Sequence, residues 1–382
     1  MFATRKAPNL EEVTDKGSEK QLSSFESKLN AWVTDHLTRI PLVHKMLFIY
    51  HLKTMIKAGL PIVNALQVLG QEIENKRLKK IIGEIKEGVE KGKQLSEVLA
   101  LYPKVFPPIY VSMVAAGEAA GKMEEALDQI HTQMKKSHEL TSRVRGAMVY
   151  PAVVLVAMVG IAIEVVVFVL PKVMVMFNDF DAELPLPTRI LIAITEGTQK
   201  YGIFIGIGLV ALIIGLIQLF KVPSLRKKLH VLNLHLPLAG PIIKKINLAR
   251  FTLTLSSLMQ SSIPIIDAVR ITSEVQSNLV YKNNLLEVSE KLKKGEALSE
   301  ILATFPKAFP PMVTEMIMVG EQSGEVEHML KELSDYYSNE VDNTMKNFST
   351  IIEPVIILIL GLAVAGIAVA VIMPMYSLAQ SF

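Results

Sequence analysis

Cysteine is missing from all 382 residues, which removes disulfides, thiolate metal sites and cysteine nucleophiles at one stroke. No GxxxxGK[ST] phosphate loop occurs, so the chain is not expected to hydrolyse nucleotide itself. There is no GxSxG elbow and no HExxH. The eight histidines are scattered, and even His131 and His138, seven positions apart on a helical face, lack a third ligand. Gly206–Ala211 imitates a dinucleotide fingerprint, but it lies inside an apolar stretch with no strand before it. A one-signed charge block is also lacking. Net charge is only +3, and acids and bases alternate along stretches such as Lys76–Lys93, the pattern of a solvated helix face, so no nucleic-acid partner is expected. Met1–Ile40 is polar and lacks the short apolar run and small-residue cleavage site of a signal peptide, which leaves the N-terminus expected in the cytoplasm.

What the chain does have is a copy of itself. Phe48–Phe177 recurs at Phe251–Gln380 with no gap and one fixed offset of 203, so that Pro61 becomes Pro264, Pro108 becomes Pro311 and Pro171 becomes Pro374. Each copy runs from a polar, helix-patterned region into a long apolar run. Half of the residues are hydrophobic, more than in most soluble chains, yet 20% are charged, so the chain mixes soluble and membrane parts.

Three apolar runs, Ala152–Leu170, Ile203–Phe220 and Val355–Met373, are each about 18–21 residues and long enough to cross a bilayer as helices. Lys135, Lys136, Arg143 and Arg145 precede the first, and Lys221, Arg226, Lys227 and Lys228 follow the second. The loop between them carries four acids. By the positive-inside bias both large polar regions face the cytoplasm. The first and third runs belong to the repeat and leave the cytoplasm in the same direction, so the second is the return path. The expected order is a polar segment 1–44, a cytoplasmic bundle 45–150, spans 151–171 and 203–220 around a periplasmic loop 172–202, a second bundle 221–353, a third span 354–375 and a periplasmic tail 376–382. The one ionisable side chain within the spans is Glu164, which is Ile367 in the second copy. A lone intramembrane acid is a functional candidate, but no second titrating group accompanies it, and packing against a span or reaching the outer interface is the alternative. The third span is rich in small residues, such as Gly361, Ala365 and Gly366, which suits close helix packing.

The polar regions read as helix throughout. His44–Ala58 is a periodic helix broken at Gly59-Leu60-Pro61, or Ser261-Ser262-Ile263-Pro264 in the second copy, with Pro61 placed to serve as the first residue of the next helix. A helix to about Glu74 and another over Leu78–Lys91 follow, the latter ended by Gly92 or Gly295. An amphipathic Leu95-Ser96-Glu97 turn, Leu298-Ser299-Glu300 in the second copy, then meets Phe106-Pro107-Pro108 or Phe309-Pro310-Pro311, whose prolines preset an extended entry to a new helix. Phe106 and Phe309 are expected to staple that entry to the bundle core. The strongest short signature is Gly117-Glu118-x-x-Gly121, repeated as Gly320-Glu321-x-x-Gly324. Its glycines suit a helix–helix corner with close backbone approach. Its glutamates are placed to cap the next helix, pair with a base, or accept a cation or partner group. Helices from Lys122 and Glu325 then look long enough to run unbroken into the spans.

Two copies of P-x-x-x-A-[LV], GxxLSE, FPP and GExxG, each followed by a membrane helix, resemble the inner-membrane platform proteins of type IV pilus and type II secretion machines, the F or PilC family, over roughly 45–380. The resemblance implies an all-α fold of two cytoplasmic six-helix bundles with three transmembrane helices. It also implies a non-enzymatic role without a cofactor, coupling a cytoplasmic hexameric ATPase to extraction and polymerisation of pilin or pseudopilin, among other inner-membrane assembly proteins and membrane lipid. Self-association into a homo-oligomer is implied too. Under it, Gly117, Glu118, Gly121, Gly320, Glu321 and Gly324 inherit the importance of the family motif. The front of the chain departs from the family, and its amphipathic Leu22, Phe25, Leu29 and Trp32 suit either packing on the bundle or docking to the ATPase or membrane surface. The rival class is a small-solute transporter component, which also uses repeats, but few intramembrane polar groups are available to bind a solute.

Overall fold

The repeat reappears as two six-helix modules whose second to sixth helices begin at equivalent positions, while the first helix of the second module starts six positions earlier than its counterpart. In this computed structural model the described residues are 40–169, 171, 223–236 and 239–380, with isolated positions between 197 and 218. Leu22–Trp32 and most of the loop 172–202 and second span fall outside them. The first module comprises α1 (Leu42–Lys57), α2 (Ile62–Glu72), α3 (Lys76–Glu90), α4 (Leu95–Ala100), α5 (Pro108–Ala120) and α6 (Met123–Glu164). After α7 (Pro223–His235), the second comprises α8 (Ala239–Gln260), α9 (Ile265–Val275), α10 (Leu279–Leu292), α11 (Leu298–Ala303), α12 (Pro311–Ser323) and α13 (Val326–Gln380). No strand occurs among the described residues.

Local chemistry explains the boundaries. Asn75 and Asn278 cap α3 and α10, accepting from the amides of Leu78 and Val280 at 3.0 and 2.8 Å. Gly92 and Gly295 end or follow these helices at φ +84° and +86°, where a side chain is costly. Pro61 and Pro264 sit one place earlier than the sequence suggests. Each is the cap residue in an extended conformation, and its carbonyl accepts the amide of Ala65 or Ala268, at 3.0 and 2.9 Å. A ring that fixes φ suits that role as well as it suits the first helical turn.

The turn between the first two helices exposes one mismatch between the copies. Gly59 takes φ +83°, and its equivalent Ser262 is forced to φ +58°. A serine there bears a Cβ clash that glycine avoids, partly offset by glycine's greater freedom when unfolded. Ser262→Gly should therefore raise stability by up to about 1 kcal/mol, read as a higher unfolding midpoint of the detergent-solubilised protein. Gly59→Ser should lower it.

Apolar stripes of all six helices meet in each module. Phe48 and Phe106 lie 5.9 Å apart in the first, and Phe251, Phe309 and Tyr281 form the corresponding aromatic cluster in the second, at 5.2 and 5.6 Å. The buried Tyr281 hydroxyl donates to the Ala308 carbonyl at 2.9 Å, so its one polar group is satisfied, and burial pushes its pKa well up. Phe106 and Phe309 are 2% and 1% exposed, which places the expected staples in the core, each worth about 2–3 kcal/mol of burial.

The last helix of each module leaves it. α6 runs through Pro151, and α13 through Pro354 and Pro374, as single helices, and a five-residue π-helical segment, Val165–Val169, follows α6. Their far ends are long and apolar enough to cross a membrane, and their apolar windows are only 6% buried in each case. Val156 and Leu362, for example, are 73% and 67% exposed. Uncovered apolar surface on this scale calls for lipid rather than water. α13 continues to Gln380, so a separate tail from 376 is not distinguished from the helix.

The two modules touch. α6 of the first lies against α13 and α8 of the second, and α5 meets α9. Lys136 bridges Asp335 at 3.1 Å and Arg143 approaches Asp342 at 3.8 Å. Both pairs are 199 positions apart, so moving along one helix moves the same way along the other and the two helices are parallel.

Candidate functional site

The three motifs singled out from the sequence converge on one corner in each module. α5 opens with Pro107 in an extended conformation and Pro108 in its first turn, and closes at Gly121 with φ +67°. There the amide of Lys122 returns to the Gly117 carbonyl at 2.8 Å and that of Gly121 to the Glu118 carbonyl at 3.2 Å, the paired bonds of a left-handed helix stop. The chain reverses at once and α6 begins at Met123. Gly324, at φ +78°, does the same between α12 and α13, with the amide of Glu325 on the Gly320 carbonyl at 2.8 Å.

So tight a reversal presses the two helices together at the first glycine. A Cβ on Gly117 would stand 2.4 Å from the Ala126 Cβ, and one on Gly320 would stand 2.8 Å from the Val326 Cα. The close approach expected at these positions is present in both copies.

The glutamate faces the other way. Glu118 accepts the amides of Leu95 and Ser96 at 2.5 and 2.9 Å, one on each carboxylate oxygen. Glu321 accepts those of Leu298 and Ser299 at 2.6 and 3.2 Å, and the Ser299 hydroxyl also donates to it. These amides open α4 and α11, whose own cap positions, Gln94 and Ala297, make no side-chain cap. The carboxylate therefore caps the short helix that precedes it in sequence. Of the possibilities raised by the motif, capping is the one seen, but the helix capped is not the following one: the reversal at Gly121 turns the start of α6 away, whereas the FPP loop folds α4 back beside α5.

A six-residue helix has little stability of its own; its buried leucines hold it to the core, and a charged acceptor on its two open amides ties it to the neighbouring helix. Glu118→Ala or Glu321→Ala should cost about 2 kcal/mol, and Glu→Gln less, because the amide keeps one acceptor. Urea unfolding of the solubilised protein checks this; equal loss from Gln and Ala would mean that charge and acceptor play no part.

The corner works as an acceptor and a joint. Both carboxylate oxygens are committed to amides, and no group of three His, Asp or Glu side chains comes together among the described residues. Glu164 is the last α-helical residue before the π-helical segment and is exposed along the chain. It shares no site with the GExxG corners.

A polar seam between the modules escaped sequence reasoning. Gln129 of α6 donates to the Gln260 carbonyl at 3.2 Å and accepts from the Ser261 hydroxyl at 2.5 Å, while Gln133 accepts from Ser257 at 2.7 Å. Farther along, Lys346 holds Asp342 at 2.7 Å and, with Arg143, keeps its carboxyl below the ordinary range. The available signal was divergence between the copies, Gln129 against Glu332 and Ser257 against Thr54.

Two tandem six-helix modules, each delivered by an unbroken helix to an apolar segment, define a class of membrane-anchored helical protein. The chain belongs to the family described as type II secretion system (T2SS), protein F, which matches at 48–171 and again at 251–374, reproducing the offset of 203. It is 34% identical over 334 residues to the type IV pilus assembly protein PilC of Myxococcus xanthus, covering 87% of this chain and 80% of that protein. The PilC of Thermus thermophilus is 33% identical, covering 87% of this chain and 82% of its own length. The type II secretion system protein F of Vibrio cholerae is 32% identical, covering 85% and 79%. None of these names is that of an enzyme. Family and apolar helices together make this an inner-membrane protein of the platform type.

Proposed function

We propose that the chain is the platform on which a pilus or pseudopilus is assembled, coupling a cytoplasmic hexameric assembly ATPase to extraction of pilin or pseudopilin from the bilayer. The observation that carries this reading is the pair of parallel helices, α6 and α13, each rooted in a module and continuing without a break into apolar sequence. A stiff helix passes displacement from one end to the other, whereas a loop absorbs it. The names of the relatives, pilus assembly and type II secretion, supply the machine. No phosphate loop is present in the sequence, so the motor is a separate chain. In this reading the N-terminus and both modules face the cytoplasm and three spans cross the membrane, with the GExxG corners acting as joints that keep each module rigid.

Deleting the chain from its host should leave processed pilin or pseudopilin in the inner membrane while surface fibres or secretion disappear, and the full chain should restore them. Assembly that continues at the normal level would overturn the platform reading. Orientation is checked separately: reporter fusions after Lys135 and Lys228 should read cytoplasmic, and one within Asp179–Thr188 periplasmic. A cytoplasmic signal from that loop would remove the three-span arrangement.

A further inference from the structure

The two copies share a fold but differ in what covers them. Gln133 on α6 is 4% exposed beneath the second module, whereas its equivalent on α13, Tyr336, is 44% exposed. Ile271 on α9 is 2% exposed, and its equivalent on α2, Val68, is 37% exposed. Ile271 borders a cleft of about 740 Å³ whose other wall is α5, at Ala115 and Ala116; the equivalents of those alanines, Met318 and Val319 on α12, are 42% and 50% exposed. Within the chain, then, the α5–α6 face of copy one sits on the α8–α9 face of copy two. Among the described residues nothing sits on the matching α12–α13 face of copy two or the matching α1–α2 face of copy one.

We propose that these two open faces bind each other between chains: the α12–α13 face of one molecule docks on the α1–α2 face of a second copy, repeating head to tail the contact made between the modules. Carrying each internal contact forward by the repeat offset gives the partners directly. Gln133 with Ser257 becomes Tyr336 with Thr54, and Ile271 near Ala115 and Ala116 becomes Val68 near Met318 and Val319. The charges fit this occupant. Gln129 at the Gln260 backbone becomes Glu332 at Lys57, which holds Glu124 of its own chain at 3.1 Å; Arg143 against Asp342 becomes Lys346 against Glu139; and Lys136 against Asp335 becomes the neutral Asn339 against Thr132, so two carried-over pairs bring opposite signs together and none brings like signs together. Exposed aromatic and methionine side chains at the centre, with charges around them, are the composition of a protein interface. The parallel course of α6 and α13 matters too. A step that repeats their relation keeps the membrane helices of successive chains pointing the same way, as a shared bilayer demands. Such an interface is heterologous: each chain uses two different faces, and closure of a ring or growth of an array follows from the rotation per step. None of this depends on the coupling role proposed above.

Absence of cysteine makes the test clean. Two full-length chains with different tags are co-expressed in membranes, one carrying Tyr336→Cys and the other Thr54→Cys, and mildly oxidised. A mixed-tag disulfide dimer is expected, and neither variant alone should give one. A single chain with Gln133→Cys and Ser257→Cys should close an internal bridge, which verifies folding and oxidation through the contact already seen. With that bridge formed, the absence of a mixed dimer, or the appearance of Tyr336–Tyr336 dimers of a two-fold interface, would overturn the proposal. The register has its own check. Glu332→Lys in the Tyr336→Cys chain should cut mixed cross-linking several-fold, and Lys57→Glu in the Thr54→Cys chain should restore it. Failure of the reversal to rescue would show that these two charges do not meet.

Discussion

Gly320→Leu is expected to loosen the second module by about 1–3 kcal/mol of overpacking, and Gly117→Leu the first by a similar amount. What surrounds each glycine sets the cost. Even the first carbon of a side chain at Gly320 would stand 2.8 Å from the Val326 Cα and 3.2 Å from its nitrogen, and those atoms belong to the opening turn of α13. Backbone in a helix cannot step aside as a flexible side chain does, so the corner between α12 and α13 must open. At Gly117 the obstacle is the Ala126 Cβ, at 2.4 Å, which is fixed just as firmly to its helix. Opening either corner also draws Glu118 or Glu321 off the amides it caps, so the loss extends into α4 or α11. Gly83 supplies the contrast. It lies within α3 with open space for at least 4 Å around the position a Cβ would take, and Gly83→Ala should stabilise the helix by about 0.5–1 kcal/mol. Denaturant unfolding of the solubilised protein measures all three, and an unchanged midpoint for both leucine variants would refute the close-approach role.

The ungapped repeat made much of this architecture legible in the sequence. A proline, a glycine or an FPP turn recurring 203 positions later has to serve the same local geometry twice, and the helices between those marks follow from that punctuation with boundaries a residue or two adrift, whereas the first helix of the second module starts eight positions before the place that the repeat of His44 gives. The apolar runs beyond Pro151 and Pro354 were equally plain, because length and composition alone decide them. What the sequence concealed was tertiary. Nothing in Gly-Glu-x-x-Gly says that the glutamate reaches back 22 or 23 positions to cap a helix already passed; that depends on how the FPP loop folds α4 against α5. The seam of Gln129, Gln133, Ser257 and Ser261 was hidden for a related reason. Polar residues at helical spacing read as a solvated surface until a second module is laid upon them.

If α13 transmits the motor's movement as proposed, a flexible insertion in it between the module and the membrane should abolish pilus or pseudopilus assembly while leaving expression and ATPase binding intact. The structure decides where to put it. Val341 and Met345 are 1% and 4% exposed in the second module's core, and Lys245 clamps the same stretch through Glu340 at 2.6 Å and Thr344 at 3.0 Å. An insertion within Asn343–Asn347 would therefore damage packing as well as stiffness. Moving it to Asn347–Thr350 places it beyond those contacts and before Pro354. A Gly/Ser stretch there converts a rod into a coil that absorbs displacement, whereas an Ala/Glu/Lys insertion of about seven residues adds two helical turns and keeps both stiffness and approximate facing. The helical insertion should retain much of the fibre assembly or secretion that the flexible one loses, even though it lengthens the rod by about 10 Å. That contrast separates transmission from mere connection, since both variants keep the module tethered to its span. Normal assembly by a stably expressed Gly/Ser variant would show that no displacement travels through α13, leaving the protein to act as a scaffold that gathers motor and pilin without moving either.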